Sequence, residues 1–558
     1  MKKIPYGISD FKRLQNEGYY FVDKTKYILE VEKSNSFLMF LRPRRFGKSL
    51  LISMLESYYD ILYKDEFENL FGESYIYKQK TKYANSYLVL RFDFSGIDID
   101  DVEDSFKEYV LDILKSFIKR YNLELELHTN PLILLNKIIE NLKENSLELY
   151  LLIDEYDNFS NKILLNSKDD YNSVISNKSS VFKQFFTILK AGTAGTDAPV
   201  KRMFITGVTP MTMYDVTSGF NIGSNISLKK EYNSIVGITE DELKDMFTYY
   251  DIPKKYLSLC REWYNNYSFS IKSQEKIFNT DMILYFIDNY IQDGDLPDEL
   301  IDINVRSDYS TLRDIIYTDN KLNGNFETLN TLIAGESVSV DRLVQDFSGL
   351  NLTKDENFKS LLFYLGLVTF GESSLRLKLK IPNETIKRID IDFLKDSLEL
   401  ENIFSLKTST LSTLFEKFAL AGDLAIFEFL AKEIKNASSL RDYIQSELSI
   451  KAMYLAYLSF SPYYIVKSEL ELNKGFADIF IKPFNNYVDY LGLVELKYIP
   501  RIQKCDRVKI ENLVKQAKIQ LEQYEQDNLV IEYLNEGKKL KKVILIFCGW
   551  ELVEMVDV

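Results

Sequence analysis

Two sets of residues in this sequence have the types and spacing that phosphate chemistry requires. The first lies in the stretch LRPRRFGKSLL, residues 41–51, where Gly47-Lys48-Ser49 matches the end of the pattern G-x-x-x-x-G-K-[ST]. In that pattern, backbone N–H groups and the lysine bind the phosphates of a nucleotide, and the hydroxyl holds Mg²⁺. Arg42 stands where the pattern has its first glycine, which raises the question whether this loop binds a nucleotide.

An acidic pair farther along the chain complements the loop. The stretch LYLLIDEYD places Asp154 and Glu155 directly after a run of apolar residues. Asp154 would position Mg²⁺ and Glu155 would orient the attacking water, as in nucleotide hydrolysis. Thr206, near the end of the apolar stretch RMFITGV, would contact the γ-phosphate.

Each of these stretches has a simpler interpretation when taken alone. The loop is equally compatible with a basic surface loop, and the acidic stretch with a strand that runs into a turn. Their order, with each placed at the C-terminal end of an apolar run, favours an ATP site. The residues predicted to bind ATP or its metal ion are Arg44, Arg45, Phe46, Gly47, Lys48, Ser49, Leu50, Asp154 and Thr206, with Ser49 and Asp154 as metal ligands and Glu155 as the catalytic residue.

The second set of residues lies near the C-terminus, in the stretch ADIFIKPFNNYVDYLGLVELKYI. Two apolar strands joined by a turn would pair with Asp478 beside Glu495, and side-chain alternation puts Glu495 and Lys497 on one face. Two carboxylates suit Mg²⁺, and Lys497 would orient an attacking water or stabilise developing charge. A D…ExK spacing occurs often by chance, but Glu495 and Lys497 interrupt a very apolar strand, where burying charge without a purpose is costly.

Apolar runs and turn signals define the elements that must position these residues. Strands are predicted at 37–41, 87–94, 149–157 and 202–208 with helical stretches between them, which predicts a parallel sheet covered on both faces. The polar stretch 166–180 is predicted to be a loop. Near the C-terminus, IENLVKQAKIQLEQY has the apolar face of a helix that packs on a sheet.

Composition narrows the chemistry further. The single histidine argues against Ser-His triads and histidine-rich zinc sites, so carboxylates must hold any catalytic metal, which points to magnesium or manganese. The net charge of −14 argues against non-specific DNA binding over the whole surface, although local basic stretches remain. Three separated cysteines, with no signal peptide and no apolar run of membrane length, predict a cytoplasmic protein without a membrane partner.

The N-terminal third also resembles a known family. The stretches IPYGISDF, YYFVDKT, LRPRRFGKSL, LIDEYD and FITGVTPM resemble the AAA-ATPase-like domain of a large bacterial and archaeal family. Pro-Arg-Arg-Phe-Gly-Lys-Ser is that family's own form of the phosphate loop, so the resemblance implies that Arg42 is compatible with a working site. It also implies that the N-terminal segment packs near the adenine.

The C-terminal set resembles the PD-(D/E)XK nuclease superfamily, both in its Asp…Glu-x-Lys pattern and in the later Gln-x-x-x-Tyr and FCGW elements. The resemblance implies a further acidic residue on a preceding helix, for which Glu469 is the candidate and Glu471 the alternative. The predicted catalytic residues are therefore Glu469, Asp478, Glu495 and Lys497, with Asp478 and Glu495 as metal ligands.

Together, these patterns predict an α/β protein in four parts. They are an AAA-like P-loop ATPase domain with a parallel sheet (1–235), a helical lid-like region (236–330), a helical, winged-helix-like middle (331–445) and an α/β PD-(D/E)XK nuclease-like domain (446–558). The predicted function is ATP binding and hydrolysis that gates metal-dependent cleavage of nucleic acid, DNA rather than RNA.

Two alternatives remain open at this point. One is an ATP-driven regulatory switch whose nuclease-like domain binds nucleic acid or protein without cutting. The other is a protein whose nucleotide site is structural or inactive. A homo-oligomer also remains open, and a place in genome defence rests on analogy alone.

Overall fold

The structure of the chain is a computed structural model. It describes residues 1–97, 101–166, 171, 175, 177, 180–211, 223–297, 299–306, 325–352, 354–372, 376–400, 406, 408–437, 444, 446–472, 475–484 and 487–558. The predicted loop at 166–180 lies largely outside these residues. The chain divides into an N-terminal unit (Met1–Thr318, Val340–Leu377 and Pro382–Thr385) and a C-terminal unit (Asp319–Ser339, Lys378–Ile381 and Ile386–Val558).

The α-helices of the described residues are numbered in chain order. They are α1 (Phe11–Asn16), α2 (Tyr27–Lys33), α3 (Lys48–Tyr59), α4 (Phe67–Phe71), α5 (Val102–Arg120), α6 (Pro131–Glu144), α7 (Asn158–Asn166), α8 (Val181–Ala191), α9 (Glu240–Tyr249), α10 (Tyr256–Tyr264), α11 (Thr280–Asp293), α12 (Asn325–Ile333), α13 (Asp355–Leu365), α14 (Glu384–Leu400), α15 (Thr408–Ala421), α16 (Ala425–Asn436), α17 (Glu447–Leu458), α18 (Arg507–Glu525) and α19 (Asn528–Asn535).

The strands are β1 (Phe37–Leu41), β2 (Leu88–Asp93), β3 (Leu149–Asp154), β4 (Val200–Gly207), β5 (Ser224–Asn225), β6 (Ile238–Thr239), β7 (Ile277–Phe278), β8 (Val338–Val340), β9 (Thr369–Phe370), β10 (Leu377–Lys380), β11 (Tyr464–Leu472), β12 (Gly475–Pro483), β13 (Tyr490–Ile499), β14 (Lys539–Cys548) and β15 (Glu551–Asp557).

The sheet of the N-terminal unit has the order β2-β3-β4-β1-β5, and its paired strands are all parallel. Every residue of β3 is buried, as is every residue of β1 except the first. A parallel sheet covered on both faces requires such continuous apolar runs. The prediction of a parallel sheet from these runs is therefore confirmed, although β3 ends at Asp154 rather than at residue 157.

The parallel arrangement brings the predicted nucleotide residues to one edge of the sheet. Strands β3, β4 and β1 are consecutive neighbours that point the same way, so their C-terminal ends lie together. The phosphate loop follows β1, the acidic pair ends β3, and Thr206 is near the end of β4. Open α/β sheets bind ligands at this edge.

The sheet of the C-terminal unit has the order β11-β12-β13-β14-β15. β13 and β14 are parallel, whereas the other neighbouring pairs are antiparallel. Alternate residues of β14 belong to different cores: Val543 and Leu545 pack with α15 to α17, and Ile544 and Ile546 pack with α18 and α19. The predicted hairpin and the predicted helix after it are thus confirmed, and the sheet is buried on both faces.

In sequence, the part of the chain between the two sheets is mostly helical, with the short strands β6 to β10. α13 and the strands β8 to β10 occupy the region predicted to resemble a winged helix. The predicted domain boundaries after residues 235, 330 and 445 stay predictions. Among the described residues, no helix combines the length and apolar character needed to cross a membrane.

Candidate functional sites

A cavity of about 600 Å³ lies beside the phosphate loop in the N-terminal unit. Loop residues 44–51 and Glu155 line one part of it. Most of the remaining lining comes from the N-terminal segment, from residues 235–238 and from α9 and α11. It includes Pro5, Ile8, Tyr20, Phe21, Val22, Lys24, Ile235, Val236, Gly237, Ile238, Met246, Asp281 and Leu284. The volume suits a nucleotide, with apolar side chains for a base and basic loop residues for phosphates.

Lys48 is held across the phosphate loop. It begins α3 directly after Gly47, whose φ of 96° lies in the left-handed region that favours glycine. Its ammonium donates to the carbonyl oxygens of Arg42 at 3.0 Å and Pro43 at 2.9 Å. Burial lowers the pKa of Lys48, and the nearby carboxylates of Glu155 and Asp154 oppose that shift. The loop therefore keeps a cation at the N-terminus of a helix, where phosphates bind.

Arg42 has a structural role in place of the missing glycine. Its side chain is only 1% exposed, and its guanidinium donates to the carbonyl oxygens of Leu41, Ser227 and Tyr232 at 2.7–2.8 Å. The guanidinium also lies 4.4 Å from the ring centre of Phe40. Its φ is not positive, so glycine is not required at this position. Arg42 fixes the loop from behind and is not among the residues that line the cavity.

Arg45 and Phe46 tie the loop to the region after β5. Arg45 has a φ of 67°, and its guanidinium lies 3.3 Å from the carboxylate of Asp281. The carbonyl of Phe46 accepts hydrogen bonds from the Gly237 N–H and the Thr280 hydroxyl, both at 3.0 Å. These contacts fix the loop, whose residues 44–51 line the cavity.

The acidic pair forms the second half of this site. Asp154 is fully buried, and its Oδ1 accepts hydrogen bonds from the Thr206 hydroxyl and the Glu155 N–H. Its Oδ2 has no hydrogen-bond partner in the part of the chain that the structure describes. A buried carboxylate oxygen without a partner is costly, so Asp154 fits the role of a ligand to a divalent cation. The predicted sharing of that cation with Ser49 stays a prediction. Burial raises the pKa of Glu155, whose φ of 49° marks a strained backbone.

Thr206 is fully buried and does not line the cavity. Its contact with Asp154 gives it a role in positioning that carboxylate. The predicted contact with the γ-phosphate stays a prediction.

Residues 23–25 connect distant parts of the N-terminal unit. Lys24 donates to both carboxylate oxygens of Glu242 at 2.7 Å, and Glu242 is the capping-box residue of α9. Asp23 accepts from the Thr25 hydroxyl at 2.6 Å and from the Tyr75 N–H at 2.6 Å. Since Lys24 also lines the cavity, this element links the cavity wall to α9.

The D…ExK residues of the C-terminal unit converge at adjacent strands. β12 and β13 pair through Ile479 and Val494, so Asp478 and Glu495 each lie one residue beyond that pair. Asp478 Oδ2 accepts the Leu496 N–H at 2.9 Å. Lys497 donates to Glu495 Oε1 at 2.6 Å, which confirms that these two side chains share a face.

Burial and charge perturb this cluster strongly. Burial first, and then the charge of Asp478, raises the pKa of Glu495 to about 7. Burial alone would lower the pKa of Lys497, but the carboxylates around it, Glu495 foremost, raise it overall. Perturbed groups that face one another in this way are typical of functional sites.

A helix supplies two further charged residues to the cluster. The Glu447 carboxylate accepts the Tyr498 N–H at 3.1 Å, and burial together with the charge of Asp478 raises its pKa. One turn later, the ammonium of Lys451 lies 3.2 Å from Asp478 Oδ1. These two are the only charged residues of α17.

The expected position of Glu469 on a helix is wrong, whereas its predicted catalytic role stays a prediction. Residue 469 lies in β11, which pairs with β12, and therefore not on a preceding helix. Its side chain is outside the part that the structure describes. The acidic residue on the preceding helix is Glu447. The signal in the sequence was Ser446, an N-cap, followed by an acid and a lysine four residues apart in an otherwise apolar helix.

The donor set of this cluster fits a divalent cation held by two carboxylates. Among the described residues, no three acidic, histidine or cysteine side chains are close enough to ligate one ion together. Glu495 Oε2 is buried and has no hydrogen-bond partner within the described residues, and Asp478 lies beside it. Mg²⁺ is commonly bound by one or two carboxylates, with water and phosphate oxygens completing the set.

Two parts of the chain match known protein families. Residues 5–217 match the family described as predicted AAA-ATPase, and residues 445–556 match the PD-(D/E)XK nuclease superfamily. The chain is 26% identical over 289 residues to an "Uncharacterized protein in vnfD 5'region" of Azotobacter chroococcum mcd 1, covering 51% of this chain. The chain spans about half the length (52%) of that curated relative.

Solved structures give only distant similarity. The ORC2 protein of Aeropyrum pernix, in ADPNP and ADP complexes, is 12% identical with a TM-score of 0.36, covering 70% of this chain and 98% of its own. CDC6P from Pyrobaculum aerophilum is 11% identical with a TM-score of 0.29, covering 71% and 96%. In chain order, a region that matches the predicted AAA-ATPase family precedes a region that matches the PD-(D/E)XK nuclease superfamily.

Proposed function

We propose that this protein hydrolyses ATP at the N-terminal site and cleaves phosphodiester bonds of nucleic acid at the C-terminal site. The observation that carries the proposal is the convergence of Asp478, Glu495 and Lys497 in a buried charged cluster within an otherwise apolar sheet. Burying such charges lowers the stability of the fold, which favours a functional role for the cluster. The cavity beside the phosphate loop supports the ATPase half.

At the N-terminal site, the loop residues bind and orient ATP. Lys48 and the backbone N–H groups at the start of α3 neutralise the phosphates. Ser49 and Asp154 would hold Mg²⁺, with Thr206 keeping the Asp154 carboxylate in place. Glu155 would orient the attacking water, since it lines the cavity near the charge of Lys48.

At the C-terminal site, Asp478 and Glu495 would hold a divalent cation, Mg²⁺ or Mn²⁺. A bound cation of this kind lowers the pKa of water and stabilises the charge that develops on a phosphodiester. Lys497 orients the attacking water or stabilises the leaving charge. Glu447 fixes the backbone at Tyr498 and adds negative charge to the cluster.

The finer parts of the proposal concern coupling and substrate. ATP binding would control access to the nuclease site, and DNA is the expected substrate in preference to RNA. The expected location is the cytoplasm, on the basis of cysteine usage.

The ATPase half is tested by the rate of phosphate release from ATP with Mg²⁺. Lys48→Met should abolish hydrolysis, whereas Lys115→Met, which removes an exposed lysine on α5, should leave it unchanged. Equal rates in Lys48→Met and the unaltered protein would refute the assignment of this loop.

The nuclease half is tested with linear DNA, circular DNA and RNA, each with Mg²⁺ or Mn²⁺ and with or without ATP. Asp478→Asn should abolish cleavage, and Asp489→Asn, at an exposed position of the same unit, should not. If no substrate is cut while ATP hydrolysis persists, the C-terminal domain acts instead as a binding module under ATP control.

A further inference from the structure

Two of the three cysteines lie together in the C-terminal unit, where β13 and β14 end. These strands are parallel, and Cys548, the last residue of β14, is opposite Ile499, the last residue of β13. Cys505 is in the loop that connects β13 to α18, directly before the N-cap residue Asp506. Both cysteines are free and partly exposed, and the proposed chemistry gives neither of them a role.

The loop between β13 and α18, residues 500–506, folds back over the turn that follows β14. The Gln503 N–H donates to the Pro500 carbonyl at 2.8 Å, which reverses the direction of the chain. The Arg501 guanidinium lies 4.2 Å from the centre of the Trp550 ring. These contacts hold the loop against the end of β14.

The two thiols are therefore in contact, although they are far apart in sequence. The Cys548 thiol donates a hydrogen bond to the sulfur of Cys505. Both side chains also pack against the same apolar core, which the sheet forms with α18 and α19. A disulfide has strict geometric requirements, and two thiols in contact need only small movements to meet them.

Cys260 provides a contrast within the same chain. It lies in α10 of the N-terminal unit, and its side chain is fully buried. Burial raises the pKa of its thiol well above the usual value. Because the thiolate is the reactive form of cysteine, we expect Cys260 to be inert towards a mild oxidant.

We propose that Cys505 and Cys548 form a reversible redox-modification site that reacts with low-molecular-weight disulfides such as oxidised glutathione. One protein thiolate attacks the glutathione disulfide, bonds to one of its sulfurs and releases the other as a thiolate. The second protein thiol loses its proton and displaces the remaining glutathione, which forms the Cys505–Cys548 bond. The protein gives up two electrons and two protons, and one glutathione disulfide becomes two thiols.

The disulfide would fix the loop that directly follows β13, the strand that carries Glu495 and Lys497. Arg501 and Lys504 in this loop are exposed, so trypsin reports on the mobility of the loop. The inference does not depend on the proposed nuclease function, because neither the bond nor its effect on the loop requires cleavage of nucleic acid.

The test equilibrates the purified full-length protein in mixtures of reduced and oxidised glutathione, quenches it with acid and alkylates the free thiols under denaturing conditions. Peptide mass spectrometry then measures the Cys505–Cys548 bond and the glutathione adduct at each cysteine. The unaltered protein should form this bond and keep Cys260 reduced. Its adduct at Cys548 should be about tenfold or more less abundant than in Cys505→Ser, where no second thiol displaces the glutathione.

Limited proteolysis of the native protein measures the effect on the loop. Oxidation should slow tryptic cleavage at Arg501 and Lys504 about fivefold or more, and dithiothreitol should restore the rate. Cys548→Ser, which keeps the loop unchanged but cannot form the bond, should show no such slowing. Cys260→Ala should behave like the unaltered protein.

Three results in the unaltered protein would overturn the inference, and none of them depends on the folding of a variant. The first is glutathione adducts at both cysteines without the bond between them. The second is no modification of either cysteine, or bonds between chains in place of the bond within one chain. The third is a bond that forms but leaves the rate of tryptic cleavage unchanged.

Discussion

Replacing Arg42 by glycine would restore the usual phosphate-loop pattern, and the structure predicts that this change harms the protein. The guanidinium supplies three hydrogen bonds to the carbonyls of Leu41, Ser227 and Tyr232. It is also stacked between the rings of Phe40 and Phe269, at 4.4 and 4.2 Å from their centres. Glycine would leave those carbonyls buried without donors and open a cavity between the rings.

The size of the effect follows from these contacts. Hydrogen bonds from a charged donor contribute about 1.5–3 kcal/mol each, and a desolvated cation–π contact about 2 kcal/mol. Release of a buried charge to water offsets a large part of this sum, because burial of the guanidinium is itself costly. We expect a net loss of about 3–5 kcal/mol, which corresponds to a fall in apparent Tm of about 6–10 °C.

Thermal unfolding of Arg42→Gly measures this loss directly. A parallel ATP-binding titration should show weaker binding, since the arginine fixes the loop whose carbonyls hold Lys48. Arg42→Lys, which keeps the charge but not the set of donors, should fall between the two proteins. An unchanged apparent Tm and unchanged ATP affinity in Arg42→Gly would refute the structural role of this residue.

Further predictions concern both sites. Thr206→Val removes one of the two donors to Asp154 Oδ1, so the rate of ATP hydrolysis should fall about tenfold or more. An unchanged rate would contradict the positioning role. The pKa of Glu495 rises from 4.5 to about 7 on folding. The resulting contribution to the free energy of unfolding of the metal-free protein is fully present below pH 4.5, and it is lost as the pH rises through 7. In Glu495→Gln, the apparent Tm measured across this pH range should no longer show that dependence on pH. Tyr524→Phe removes the hydrogen bond to the Phe476 carbonyl and should cost about 1 kcal/mol in denaturant unfolding, whereas no loss would mean that solvent replaces this bond.

The parts of the fold that rest on local pattern could be predicted from the sequence. The apolar runs of β1 and β3 identify buried parallel strands, and the residues directly after them are placed at one edge by the rules of such sheets. Strand alternation likewise predicted that Glu495 and Lys497 share a face, which the structure confirms.

The remaining contacts depend on packing between residues far apart in sequence. Lys24 and Glu242 are separated by 218 positions, and no local pattern indicates that they meet. Lys451 joins Asp478 only because α17 packs against the sheet. The resemblance led to Glu469 as the helical acid, but the strand pattern of β11 competes with a helix there, and the helix with the acid starts earlier, at Glu447.

One reaction tests the central claim most directly. Linear double-stranded DNA is incubated with Mg²⁺, with and without ATP, using the unaltered protein, Asp478→Asn and Lys48→Met. The account predicts cleavage that requires Asp478 and that responds to ATP only when Lys48 is present. Cleavage that persists in Asp478→Asn would contradict the assignment of the site, and cleavage by Lys48→Met that responds to ATP like the unaltered protein would contradict the coupling.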